Sequence, residues 1–578
     1  MILLTIFVIL FTLVLPQRVF ADRYDNVVVT TNNSIESFQQ IGKEKVLIQK
    51  ESVGGKSLLT QSMINKRNTI YVISYVFSLA SDIIVPEDCI LEFDGGAIVN
   101  NGRHTLTGNN TVIKANLTQI FSVDVRLAGT WAVNGFYPEW FGAKGDGVSD
   151  DTKAVQKVAA IESSIVLPLN RKYKVSSTIE VNNSIFGNNS IIVIDENNTD
   201  YKDVLHINRP PLQDPIIIRD LYVVGYDKKT KKLGTGINID GPHVILDNVK
   251  VRNFDIGIKV KKWSISLMNC HSNYNNNNLV IYSSGEANLV TLNNDINVIG
   301  GNYGVARNIW AVKIGDKDQP DVVTKDFNCV RVLLQGFCFD GGSISIEQAQ
   351  TVSLDGLYGE SPYKGNSNIV INSFADSKVG NVEIRNCFIR GGVHGIYIAH
   401  RTNQVNIHNN TFQNIQYCCV YTEWPCTLKY TSNYIINPSG YPEVHTAAFD
   451  NPQRIGEIPN FYDLGEKEIY YGIPMCTRVK PGTVFVDNKG NQTIYLGADG
   501  YIQTKPIEGV YAKKGKGARD FILLPEDMKK FNGGDRILLA GKNGYIRKCD
   551  YVNNIIWVYG NDFPTGGKLE HLEPKVVK

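Results

Sequence analysis

Two glutamates, Glu347 and Glu360, are the first residues of this chain to suggest catalysis. Hydrolysis of a glycosidic bond needs two carboxyl groups, one protonated as the acid and one ionised as base or nucleophile. Asp316 and Glu423 stand in reserve for either role. A second chemistry, β-elimination from a uronate, needs a base for the proton α to the carboxylate and positive charge to hold the enolate. Tyr397, His400 and Arg401 are the candidates, with His394 and Lys313 behind them. Lys313, Asn372, Tyr282 and Tyr363 read as substrate contacts. Plain structural roles compete with these: a solvated strand residue for Glu347, a loop anchor for Glu360, a loop histidine for His394. No CxxC pair or His/Cys cluster has zinc-like spacing, so no metal set is assigned. Calcium held by acidic residues is left open without a signature, and no other cofactor is implied.

These residues matter only if the chain brings them together, and a repeat predicts that it does. Between Ile245 and Ile435 one phrase returns, an apolar alternation broken by Asn, Gly or Asp. Its pivots are Asn248, Asn269, Gly301, Gly336, Gly356, Asn386, Asn410 and Asn433, with Gly187 and Asp220 earlier. Such pivots suit residues that tolerate positive φ. A second phrase follows most pivots: Gly257-Ile-Lys-Val260, Asn278-Leu-Val-Ile281, Ala311-Val-Lys-Ile314, Ser343-Ile-Ser-Ile346, Asn368-Ile-Val-Ile371 and Gly395-Ile-Tyr-Ile398. Period-2 alternation means strands. Two strand phrases recurring in fixed order predict a parallel β-helix, each coil lying about 4.8 Å from the last. The Ile positions then point in. Lys259, Lys261, Val280, Tyr282, Lys313, Ser345, Glu347, Val370, Asn372 and Tyr397 line one outer face. Loops 315–328 and 359–365 are expected to wall it.

Composition sets outer limits. Lys+Arg number 59 against 57 Asp+Glu, so nothing basic points to a nucleic-acid partner. Tyr at 28 and Trp at 6 leave aromatic surface for sugar rings. Met1 to Ala21 reads as a secretory signal, its apolar run too short for a comfortable span and its end, Val19-Phe20-Ala21, suited to cleavage. The expected location is therefore secreted, periplasmic or cell-surface, with no membrane span after cleavage. Most of the ten cysteines are expected as buried thiols.

One run is more specific. Phe141-Gly-Ala-Lys-Gly-Asp146-Gly-Val-Ser-Asp150-Asp151-Thr152-Lys-Ala-Val-Gln156 resembles the opening motif of the pectate-lyase-3 superfamily, the rhamnogalacturonase/epimerase-like β-helix proteins. The resemblance covers roughly residues 139 to 437. It implies a right-handed, pectin-lyase-like solenoid whose substrate is an extracellular, uronate-containing polysaccharide, cleaved by hydrolysis or elimination. A glycan-binding or adhesive solenoid and a tailspike-like depolymerase are the alternatives. Assembly into an oligomer, a trimer among the options, is left open. Within the motif, Gly145 and Gly147 suit a tight turn, and Asp150 or Asp151 can cap a helix whose apolar side includes Ala154, Val155 and Val158. The expected layout is a signal at 1–21, an N-terminal β region or cap at 22–136, the β-helix at 137–438 and a C-terminal antiparallel β domain at 439–578.

Overall fold

The structure, a computed structural model, describes residues 42–446 apart from 51, 54–55, 101–102, 196–201, 209–213, 227–233, 285–293, 307–309, 317–328, 361–365, 372–378, 401, 424–425, 438 and 440–442; beyond these it describes 460–461, 484–486, 492–496, 502–504, 510–515, 519–528, 531, 536–540, 542–550, 553–560 and 566–571. The expected signal, Asn372, Tyr363 and Arg401 lie outside the described residues. Among those described, no helix is long and apolar enough to cross a membrane. The chain divides into two compact units, Met1–Val133 and Asn134–Lys578.

The first unit is itself a short stack of parallel strands. Glu44–Leu47, Thr69–Ile73, Ile90–Phe93, Thr105–Lys114 and Arg126–Trp131 follow one another along one sheet. Phe77, Leu91, Ile98, Leu106 and Phe121 fill its interior.

The second unit is a right-handed parallel β-helix followed by a small barrel. Two long parallel sheets run along the helix, and a four-stranded third joins them late in the stack. On the second sheet one inward column reads Ile237, Ile258, Leu279, Val312, Ile344, Ile369, Ile396, Val420 and Val444, each in register with the next. All are buried. Each such side chain contributes about 1.5–3 kcal/mol of apolar burial. The parallel ladder continues past Pro438 through Val444–Thr446 and Asn460–Phe461.

The turns mostly follow the expected pivots. Asp220, Asn248, Asn269, Gly336, Gly356 and Asn386 have φ of 52, 51, 51, 64, 64 and 55°. Gly301 (φ 91°) is joined by Gly300, and three differ: the left-handed residues are Asn188 and Asn189 rather than Gly187, Asn409 rather than Asn410, and Ser432 rather than Asn433. At the last two the reason is a second task for the expected pivot itself. Asn410 is buried, accepts from the Cys387 N–H at 2.9 Å and donates to Ile384 O at 2.9 Å. Asn433 repeats this one coil on, accepting from Asn410 N at 3.0 Å and donating to Ile407 O at 3.0 Å. This internal asparagine ladder ties consecutive coils through backbone groups that would otherwise be buried without partners.

The glycine- and aspartate-rich motif does structural work. Asp150 accepts at 3.0 Å from the N–H of Thr152, the first residue of the helix Thr152–Ala159, whose N-cap position, Asp151, makes no side-chain capping bond. Asp151 instead gathers the Lys144 and Gly145 N–H groups, at 2.7 and 3.0 Å. Ala154, Val155 and Val158 are buried as the helix packs on Pro138–Phe141 and Ile179–Val181 at the start of the stack. Asp146 accepts two N–H groups and the Ser149 hydroxyl, each at 2.8 Å. Those bonds to the ionised form hold its carboxyl down at about 2.

The barrel closes on six antiparallel strands, from Val510–Lys514 to Gly567–His571. Its own core includes Phe521, Phe531, Ile537, Ile556 and Leu569. Of the described cysteines all are free thiols, Cys338 half-buried and the rest buried. Burial pushes Cys270 and Cys387 up to about 12.

Two outcomes check this account. Asn410→Ala costs about 1–3 kcal/mol in denaturant unfolding, because a buried N–H and carbonyl lose their partner, whereas Asn409→Gly stays within about 1 kcal/mol of wild type. In an NMR titration the Asp146 carboxyl titrates near 2. Its folded value is depressed, so its stabilisation is fully present above the ordinary carboxyl range and fades as pH falls through about 2.

Candidate functional site

On the second sheet alternate residues face outward, and parallel register turns them into rows. Lys259, Val280, Lys313, Ser345, Val370 and Tyr397 pair in succession, and the row ends in Tyr421 and His445. The expected outer face therefore exists as a register row. It is not open along its length.

Its middle is covered. Tyr282, expected on the open face, is 0% exposed and packs with Ile256 and Val280. Glu347, expected on that face as a catalytic carboxylate or else a solvated strand residue, is also 0% exposed and accepts from the Ser345 hydroxyl at 2.8 Å. Lys313 is held by Asp316 at 2.7 Å with both side chains largely buried. Glu360 stands on the third sheet, not the second, where Arg390 donates to it at 2.8 Å and the Tyr358 hydroxyl also donates. The structure thus does not bring Glu347 and Glu360 together. The His400 carbonyl accepts from the Thr402 hydroxyl at 3.2 Å, and His400 is not among the described residues of the cleft below.

The row opens at its C-terminal end. There a cleft of about 490 Å³ is lined by Trp310, Ser343, Asn366, Ser367, Val370, Val393, His394, Tyr397, Tyr417, Tyr421, Glu423 and Arg547. Its floor is a stack of rings. His394 lies against Tyr397 (centroids 5.5 Å, planes 16° apart) and Tyr421 (4.9 Å, 29°). Tyr397 and Tyr421 stack at 5.7 Å, and Tyr417 meets His394 edge-on at 5.4 Å. The coil spacing causes this. Tyr397 and Tyr421 hold the same position in successive coils, so their rings must lie one over the other.

Polar groups sit around the rings. The Tyr397 hydroxyl donates to Glu423 Oε1. Burial first, then that carboxylate, raise the Tyr397 pKa well above the ordinary phenol value. His394 Nδ1 lies 3.0 Å from the Ser367 hydroxyl. His394 begins the strand His394–Ile398 rather than sitting in a loop. The Arg547 guanidinium lies 4.9 Å from the Tyr417 ring centroid. Glu423 is the one carboxylate among the described lining residues, and no described cluster of His, Cys, Asp or Glu is arranged to hold a metal ion.

Tyr421, Tyr417, Trp310 and Arg547 were missed by sequence reasoning. Tyr421 was within reach, because Cys419-Val-Tyr-Thr422 is one more copy of the second phrase. Arg547 lies on a strand of the C-terminal barrel and carries no signal in the repeat.

No family model matches the chain, and no curated protein matches it significantly. Solved structures of similar course include the catalytic unit of a GH87 α-1,3-glucanase from Streptomyces thermodiastaticus (12% identity, 54% of this chain and 67% of that one, TM-score 0.39). Another is the full-length tailspike protein 2 of Escherichia coli O157:H7 bacteriophage CAB120 (13%, 80% and 65%, 0.40). A third is the surface adhesin PfbA of Streptococcus pneumoniae (11%, 53% and 92%, 0.35). The match spans about two thirds of the length of the first two. A shared fold leaves function to the site.

If the cleft is the working surface, Glu347→Ala lowers stability by about 1–3 kcal/mol, because the buried Ser345 hydroxyl loses its acceptor, and leaves glycan affinity of the folded protein unchanged. Tyr421→Ala does the reverse, removing affinity with the fold retained. Thermal melts and calorimetric titration read the two effects separately.

Proposed function

We propose that this protein is a secreted, polysaccharide-active β-helix of the pectate-lyase-3 type, and that it cleaves a uronate-containing glycan by β-elimination in the aromatic cleft. The observation that carries this reading is the ring stack with Tyr397, His394 and Arg547 on one opening. Stacked tyrosines suit the apolar faces of sugar rings. Hydrolysis is less well supported. Glu347 and Glu423 each follow matched positions three coils apart, which is about 14 Å at strand spacing, beyond the roughly 5–9.5 Å such carboxyl pairs use.

In this mechanism His394 takes the proton from C5 of the uronate. The C4–O bond breaks, its electron pair leaving with the oxygen, and a C4=C5 double bond forms. Tyr397 protonates the departing oxygen and regains its proton from solvent, to which His394 gives up the proton it took. A phenol with a raised pKa stays protonated at neutral pH and gives its proton up only to a strongly basic alkoxide. Ser367 orients the imidazole through Nδ1. Both groups stand on one wall of the cleft, so proton and leaving group depart from the same face of the sugar.

The test is incubation of the chain lacking residues 1–21 with a panel of uronate polysaccharides, following unsaturated uronate by ultraviolet absorbance and reducing ends in parallel. Both signals rise together, and Tyr397→Phe lowers the rate by about 10²–10⁴-fold. Reducing ends without absorbance would replace elimination by hydrolysis. Silence in both, with binding retained, would leave a glycan-binding solenoid.

A further inference from the structure

We infer that the C-terminal barrel is a working wall of this cleft, and that its Arg547 selects anionic glycan chains. The inference rests on the cleft reading above and gives the barrel a role in it. The barrel closes on itself and has its own core, so strand pairing does not explain its place beside the β-helix. Arg547 lies on the barrel strand Lys542–Asp550, yet it lines the same cleft as Tyr397 and Tyr421. Among the described lining residues it is the one Arg or Lys.

Its position is set by the rings. The guanidinium lies over Tyr417, Tyr417 meets Tyr421 at 6.0 Å, Tyr421 stacks on Tyr397, and Tyr397 bonds to Glu423. The platform therefore carries its cation at one end and its carboxylate at the other. A guanidinium packed on an aromatic face is held in plane, and a planar guanidinium takes up a carboxylate through two parallel N–H bonds. A uronate lying over the tyrosines with its carboxylate toward Arg547 keeps that charge away from Glu423. A neutral sugar gains the stacking and nothing from the arginine.

The probes are oligogalacturonates and the same oligomers with their carboxyls reduced to alcohols, titrated calorimetrically into the mature chain at low and high salt. Wild type binds the uronate chain about tenfold or more tighter than the reduced chain, and salt erodes the difference. Arg547→Ala brings uronate affinity down to that of the reduced chain and leaves the latter unchanged. Arg547→Lys, which keeps the charge but not the planar fork, restores only part. Tyr421→Ala weakens both ligands. Circular dichroism and melting confirm that each variant is folded. Equal loss on both probes, or no loss, in folded Arg547→Ala overturns the role of Arg547 while the cleft reading stands. Wild type binding neither probe, or Tyr421→Ala binding both normally, overturns the cleft reading and this inference with it.

Discussion

Parallel coils stacked about 4.8 Å apart oblige every side chain to lie over its counterpart in the next coil. Nearly everything else in the second unit follows from that spacing. Inside, it demands shapes that stack, and the column from Ile237 to Val444 answers with branched and aliphatic residues. At the corners it demands left-handed residues, because the chain must turn sharply without losing register. Where an asparagine follows such a corner, as Asn410 and Asn433 do, the spacing lets its amide bridge to the next coil.

The same constraint makes the site. Aromatic residues at equivalent positions are forced into contact, so Tyr397 and Tyr421 become one surface. Charged residues in equivalent positions would repel, and the row meets this by local pairing, with Lys313 bonded to Asp316. A carboxylate can also be absorbed by its own strand, as Glu347 is by Ser345. A residue that faces outward by alternation is thus not necessarily a residue that faces solvent.

The barrel adds what a one-dimensional stack supplies poorly, a group approaching the row from the side. Arg547 over Tyr417 closes the ring platform at one end, and Glu423 bonded to Tyr397 marks the other. The motif at the start of the stack, despite its three aspartates, is fully explained by turn bonds and a bond to the first N–H of the helix.

Strand periodicity, the inward isoleucines, most turn positions and the outward row from Lys259 to Tyr397 were legible in the residues, because each depends on local alternation and on a repeat length the chain displays. The antiparallel C-terminal strands were legible for the same reason. Burial was not. Whether Tyr282 or Glu347 meets water depends on what else lies over the sheet, and alternation carries no record of that. Nor could spacing show that Glu360 turns onto the third sheet, since the repeat lengths do not say on which face a short strand falls. His394 looked like a loop residue because its glycine neighbours mask the strand it opens. Arg547 lies more than a hundred residues from Tyr417 in sequence, and only the three-dimensional packing of barrel against β-helix brings a guanidinium to that ring.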